Sequence, residues 1–112
     1  MKRKIRKILI DLGVPFKLKG FKYIEDAVED IIKVDDKSLI SVCEVIGREY
    51  FVSSNSVYTT IGTAVKKINR ESEAFKKYIN SDTKSPTDIL YTLAYRISEE
   101  LEDEQDISAR DS

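Results

Sequence analysis

Apolar residues recur along this chain at intervals of three and four, the spacing of one face of an α-helix. Ile5, Ile8, Leu9 and Leu12 form the first such stripe and predict a helix over residues 3–12. Gly13 follows as a C-cap, and Pro15 stops the helix from resuming. Val14 to Lys19 alternate apolar and basic and read as an extended connector. Gly20 then turns the chain into a second helix, 21–33, with Phe21, Ile24, Ala27, Val28, Ile31 and Ile32 on its face. Asp35-Asp36-Lys37-Ser38 reads as a polar turn, with Asp36 or Ser38 as the N-cap of a third helix over 38–49. That helix turns Leu39, Val42, Cys43 and Ile46 inward. Ser53-Ser54-Asn55 is a cluster of N-cap residues ahead of a fourth helix, 55–69, striped by Val57, Ile61, Ala64, Val65 and Ile68. Phe75, Tyr78 and Ile79 mark a fifth helix, 71–79. Ser85 as N-cap, Pro86 as first helical residue and Asp88 open a sixth, 86–101, lined by Ile89, Leu90, Leu93, Ala94, Ile97 and Leu101.

The pattern is all-α: a compact bundle of about six helices, containing a helix-turn-helix at residues 38–69. A chain of 112 residues holds one such domain, expected over 1–101 with an acidic disordered tail at 102–112. No apolar run approaches the ~18 residues of a membrane span, and no signal-peptide core follows the basic start, so the expected location is cytoplasmic. The chain has no histidine and one cysteine. The commonest general base and metal ligand are therefore missing, and neither a disulfide nor a cysteine zinc site can form within the chain. No catalytic residue, metal or cofactor is expected, and Cys43 reads as a small core side chain. The carboxylate pairs Glu25-Asp26 and Glu29-Asp30 fall on what the periodicity makes the solvated face of the second helix, and Asp35-Asp36 lacks the spacing of a metal loop.

Charge changes the picture more than composition does. Residues 1–24 carry eight Lys/Arg against Asp11, whereas residues 99–112 carry seven acids against Arg110. A basic head points to an anionic partner. Phe16 and Phe21 lie among its cations and are expected in the core. On the fourth helix, the side opposite the apolar stripe carries Asn55, Thr59, Gly62, Thr63, Lys66 and Arg70, with no carboxylate. In a helix-turn-helix the second helix presents such residues to base edges. Asn55, Ser56, Thr59 and Thr63 are the base-contact candidates, since Asn can bond adenine bidentately and Ser or Thr serve several bases. Lys2, Arg3, Lys4, Lys17, Lys19, Lys66, Lys67 and Arg70 are the phosphate-contact candidates.

Two segments carry a family signature. Ile8-Leu9-Ile10-Asp11-Leu12-Gly13-Val14-Pro15 and Lys19-Gly20-Phe21-Lys22-Tyr23-Ile24-Glu25-Asp26-Ala27-Val28 resemble the opening of the C-terminal effector domain of the sporulation initiation response regulators. Ile46-Gly47-Arg48-Glu49-Tyr50 is similar to that family's first motif helix, Asn55 to Lys66 to its recognition helix in apolar spacing, and Ser85-Pro86-Thr87 to the start of its last helix. The resemblance implies a six-helix domain that binds short DNA boxes through a helix-turn-helix, often as paired domains. In the family a phosphorylatable receiver precedes this domain; Met1 stands directly before it here, so a stand-alone domain is expected. The recognition helix departs from the pattern. Val57 and Ile61 are kept, but Ser56, Thr59 and Gly62 stand where the family has arginines. A different DNA target is expected.

Two functions are therefore in view. The first is a sequence-specific double-stranded DNA-binding protein, a small transcription regulator or mobile-element accessory factor, with Tyr91, Leu93 and Tyr95 as a candidate dimer interface. The second is a protein-interaction module that has lost DNA readout and antagonises a host regulator or defence enzyme.

Overall fold

The computed structural model describes residues 1–34 and 38–111, with side chains as far as Glu104; the turn expected at Asp35-Asp36-Lys37 lies outside the described residues. Six helices follow in order: α1 Lys2–Asp11, α2 Lys19–Lys33, α3 Leu39–Tyr50, α4 Ser54–Val65, α5 Glu73–Tyr78 and α6 Pro86–Asp111. No strand occurs among the described residues. The expected all-α bundle is what forms.

The helix ends follow the capping chemistry of the sequence. Ser38, Ser53 and Ser72 each accept a bond from the backbone N–H three residues on, and Ser85 does the same for Asp88 N–H at 3.4 Å. Gly13 takes a positive φ of 90°, which only glycine adopts without strain, so that Val14 N–H can close on the Leu9 carbonyl.

Helix α2 sits at the centre and packs on α1, α3, α4 and α6. Its burial is wider than a single stripe, taking in Gly20, Phe21, Tyr23, Ile24, Glu25, Asp26, Ala27, Val28 and Ile31. This overturns the solvated face read for Glu25 and Asp26, which are 1% and 7% exposed. Both carboxylates are paired, as buried charges must be. Arg6 grips Glu25 through two nitrogens, each at 3.1 Å, and Lys22 stands 3.8 Å away. Asp26 accepts from Lys2 Nζ and from the Tyr50 hydroxyl, both at 2.9 Å. The Tyr23 and Tyr50 rings meet at 5.2 Å alongside. Burial, and then the bond to Asp26, push the Tyr50 hydroxyl well above the ordinary tyrosine range. The Asp26 bond likewise holds the Lys2 ammonium above its ordinary value.

Four further expectations change. Gly20 does not turn the chain: it lies inside α2, where a Cβ would stand 2.5 Å from Ala64 Cβ and 2.7 Å from the Thr60 carbonyl oxygen. Its role is to let α2 and α4 cross closely. The preceding connector is not extended, because Leu18 N–H bonds the Pro15 carbonyl in a turn. That turn brings Leu18 toward the core and leaves Phe16 68% exposed, against its expected burial. Helix α4 ends at Val65 rather than residue 69. Lys67 and Ile68 N–H bond carbonyls three residues back, and Asn69 N–H docks on the Leu12 carbonyl at 2.7 Å. Helix α6 runs on past Leu101 to Asp111. Two of its acids find partners: Lys4 pairs with Glu100 at 2.9 Å and with Glu104, and Tyr78 donates to Glu100 at 2.6 Å. Cys43 is buried as expected, and burial raises its thiol pKa.

Candidate nucleic-acid interface

Helices α3 and α4 are joined by Phe51, Val52 and Ser53 alone. Phe51 adopts a left-handed conformation (φ 60°, ψ 40°), which reverses the chain, and Val52 N–H closes on the Gly47 carbonyl at 2.9 Å. Glycine at 47 is required: a Cβ there would lie 2.5 Å from the Val52 carbonyl oxygen. Val57, Ile61, Ala64 and Val65 anchor α4 to the core, while the Asp26–Tyr50 bond ties the last residue of α3 to α2.

All four base-contact candidates, Asn55, Ser56, Thr59 and Thr63, are exposed on α4. Thr63 donates its hydroxyl back to the Thr59 carbonyl at 3.2 Å. Gly62 is the exception on this face. A Cβ there would meet only Pro86 Cγ, at 3.7 Å, so it looks toward the start of α6. Between the starts of α3, α4 and α6 lies a hollow of about 630 Å3, bordered by Ile40, Cys43, Ser54, Asn55 and Tyr58 among others, and among the described residues no charged side chain lines it.

The phosphate-contact candidates divide. Lys19 borders a cleft shared with Thr60 and Thr63 of α4, and Lys17 is exposed two residues before it. Lys66 and Lys67 are exposed just beyond α4. Among the described residues none of these four enters an ion pair. Lys2 is engaged by Asp26 and Lys4 by Glu100 and Glu104. Burial works against the Lys4 charge, and its bonds to Glu104 and Glu100 outweigh it, leaving its pKa raised. Arg3 lies in a cleft of about 830 Å3 that also holds Asp11, Glu73, Glu100 and Glu104. Arg70 donates to the Ser81 and Thr83 carbonyls, at 3.3 and 2.7 Å, and stacks over Phe75. It left the α4 face because the helical phase stops at Val65.

One cation went unnoticed in the sequence. Arg48 is exposed near the end of α3 and shares a small hollow with Glu44, Val52 and Ser54, beside the first turn of α4. The Ile40–Glu44–Arg48 stripe, at intervals of four on the outer side of α3, is the signal that locates it.

The chain matches the family described as Sporulation initiation factor Spo0A C terminal over residues 5–94, most of its length. It belongs to that family. The Spo0A C-terminal domain is a DNA-binding domain, not an enzymatic one. No curated protein and no solved structure matches the chain. The family match spans α1 to the first third of α6 and includes the closely packed α2–α4 pair and the three-residue turn. Among the described residues no helix is long and apolar enough to cross a membrane.

Proposed function

We propose that this chain binds double-stranded DNA sequence-specifically, with α3 and α4 as a helix-turn-helix and α4 in the major groove, at a target different from the family's. The observation that carries the reading is the outer face of α4. Asn55, Ser56, Thr59 and Thr63 are all exposed there, on a helix held by α2, with no carboxylate in its first turn. The positive end of the α4 dipole meets no carboxylate of its own helix, and Arg48 stands with Glu44 in the hollow beside it, which favours a phosphate backbone alongside. Around α4, the described cations Lys17, Lys19, Lys66, Lys67 and Arg48 enter no ion pair and can meet phosphates. Lys2, Lys4 and Arg70 are engaged within the domain, so the interface is carried by α4 and its flanks more than by α1. A transcription regulator, working alone or as two copies on paired half-sites, is the role that fits such a domain.

A gel-shift titration on a random duplex pool, run at several salt concentrations, tests this. Four or five phosphate contacts predict a log–log salt slope of roughly −4. No salt-sensitive binding at low ionic strength refutes it. Phe51 favours the second reading, a protein-interaction module opposing a host regulator, because an aromatic ring 94% exposed in the turn is an anchor for a protein surface. Stoichiometric capture of one partner by the wild-type chain but not by Phe51→Ser, together with absent DNA binding, decides for that alternative.

A further inference from the structure

Helix α4, from Ser54 to Val65, contains no charged residue at all, in a chain that is 35% charged. The chemistry of the major groove gives that absence a meaning. Guanine is read through its O6 and N7 acceptors by Arg or Lys, and cytosine through its N4 donor by Asp or Glu. Adenine is read by Asn or Gln, and thymine by apolar contact with its methyl group. A helix without charge offers none of the strong readers of a G·C pair and keeps both readers of an A·T pair. From this we infer that the target core consists of A·T pairs, an inference that rests on α4 entering the major groove.

The placement of the side chains supplies the detail. Asn55 stands in the first turn of α4, the part of a recognition helix that reaches base edges. Its amide matches the adenine N6 donor and N7 acceptor. Thr59 and Thr63 follow at intervals of four, about 6 Å apart along the axis, close to two base-pair steps of about 3.4 Å. Because the Thr63 hydroxyl proton is already donated to the Thr59 carbonyl, Thr63 offers its methyl and an oxygen lone pair. The Tyr58 ring is 39% exposed and Ile40 is 72% exposed, both on the uncharged hollow that borders Asn55. That wall suits thymine methyls, and among the described residues it holds no carboxylate to accept from a cytosine amino group. Two free cations border α4: Lys19 stands by Thr60 and Thr63, toward the end farther from its N-terminus, and Arg48 shares a hollow with Ser54 on the α3 side of its first turn. They therefore serve the flanks of the site.

The test uses the full chain in repeated selection from random duplexes. The selected core is expected to hold about three or four consecutive A·T pairs, matching the number of side chains that reach bases. Replacing the adenine read by Asn55 with 7-deazaadenine removes N7 and lowers affinity roughly five- to hundredfold. The Asn55→Ala variant, whose site is exposed and outside the core, loses no further affinity on that modified duplex. Replacing core thymines by uracil, which removes only the methyl, also weakens binding. A selected core of G·C pairs overturns the inference, as does indifference to both modified bases. Salt-sensitive binding that enriches no sequence sinks the inference while leaving DNA binding intact. Absence of any binding sinks both.

Discussion

Two glycines in helices make opposite predictions under the same substitution. Gly20 and Gly62 both lie within helices, and an added methyl group recovers about 0.5–1 kcal/mol of helix propensity at such positions. What the methyl meets decides the sign. At Gly62 the new Cβ finds one neighbour, Pro86 Cγ at 3.7 Å, an ordinary contact. Gly62→Ala is expected to stabilise the domain by up to about 1 kcal/mol, raising Tm by about 4 °C for a domain of this size. At Gly20 the new Cβ lies 2.5 Å from Ala64 Cβ and 2.7 Å from the Thr60 carbonyl oxygen. Carbon pairs prefer about 3.5–4.0 Å, so α2 and α4 must separate by about 1 Å or more. The nearer obstacle is a methyl fixed to the backbone and the other is backbone itself, so no side-chain rotation relieves the clash. Overpacking of this kind costs about 1–3 kcal/mol, and Gly20→Ala is expected to destabilise by about 1–2 kcal/mol after the propensity gain. Thermal unfolding followed by circular dichroism gives both values. Because the displaced partner is α4, Gly20→Ala is also expected to weaken DNA binding below its Tm, while Gly62→Ala leaves binding unchanged. A neutral or stabilising Gly20→Ala refutes the close α2–α4 crossing. Loss of DNA binding in a stable Gly62→Ala refutes the orientation of Gly62 toward α6.

Other consequences are as concrete. Tyr50→Phe removes a donor from the buried Asp26 carboxylate and is expected to cost about 1–2 kcal/mol in denaturant unfolding, with Lys2 still in place; no change means that the bond does not hold α3 to α2. In the folded chain Lys2, Lys4, Tyr50 and Tyr78 keep their protons to higher pH than when unfolded, Tyr78 to about 12 through burial and its bond to Glu100. The stability they contribute is full below the unfolded values of 10.0 for tyrosine and 10.5 for lysine, and is lost as pH climbs through the folded ones. Unfolding midpoints should therefore fall above pH 10, and two of the six tyrosines should ionise late in a phenolate absorbance titration. Six tyrosines ionising together near 10 contradict this. Glu100→Gln with Glu104→Gln frees Lys4 and, if that ammonium then reaches a phosphate, steepens the salt slope of DNA binding by about 0.9; an unchanged slope places Lys4 away from DNA.

Element type and order were legible because each helix shows its apolar stripe and most show their caps. Ser53, Ser85, Pro86 and Gly13 sit where their chemistry requires. What escaped reading was tertiary. Periodicity assigns α2 one buried face, but a central helix is covered on several sides, and Glu25 and Asp26 became buried only because α1 brings Arg6 and Lys2 over them. The same contact removed two cations from the basic head. Arg70 was lost from the α4 face because extrapolating the helical phase past Val65 ignored the hold of Leu12 on Asn69. Asn55, Ser56, Thr59 and Thr63 are exposed, since a capped helix with one apolar stripe leaves its opposite side to solvent.

The uncharged surface of α4 separates two quantities that arginine-bearing recognition helices combine. Where one arginine both reads guanine and neutralises the polyanion, changing that residue alters discrimination and ionic attraction together. Here the candidate readers release no counterions, and the free cations stand on the flanks. The ratio of affinities for the best and a scrambled duplex then stays constant while both affinities fall with salt. On the proposed reading, discrimination would reside in residence time and capture in the electric field of the flanks, so that either could drift over evolution without disturbing the other.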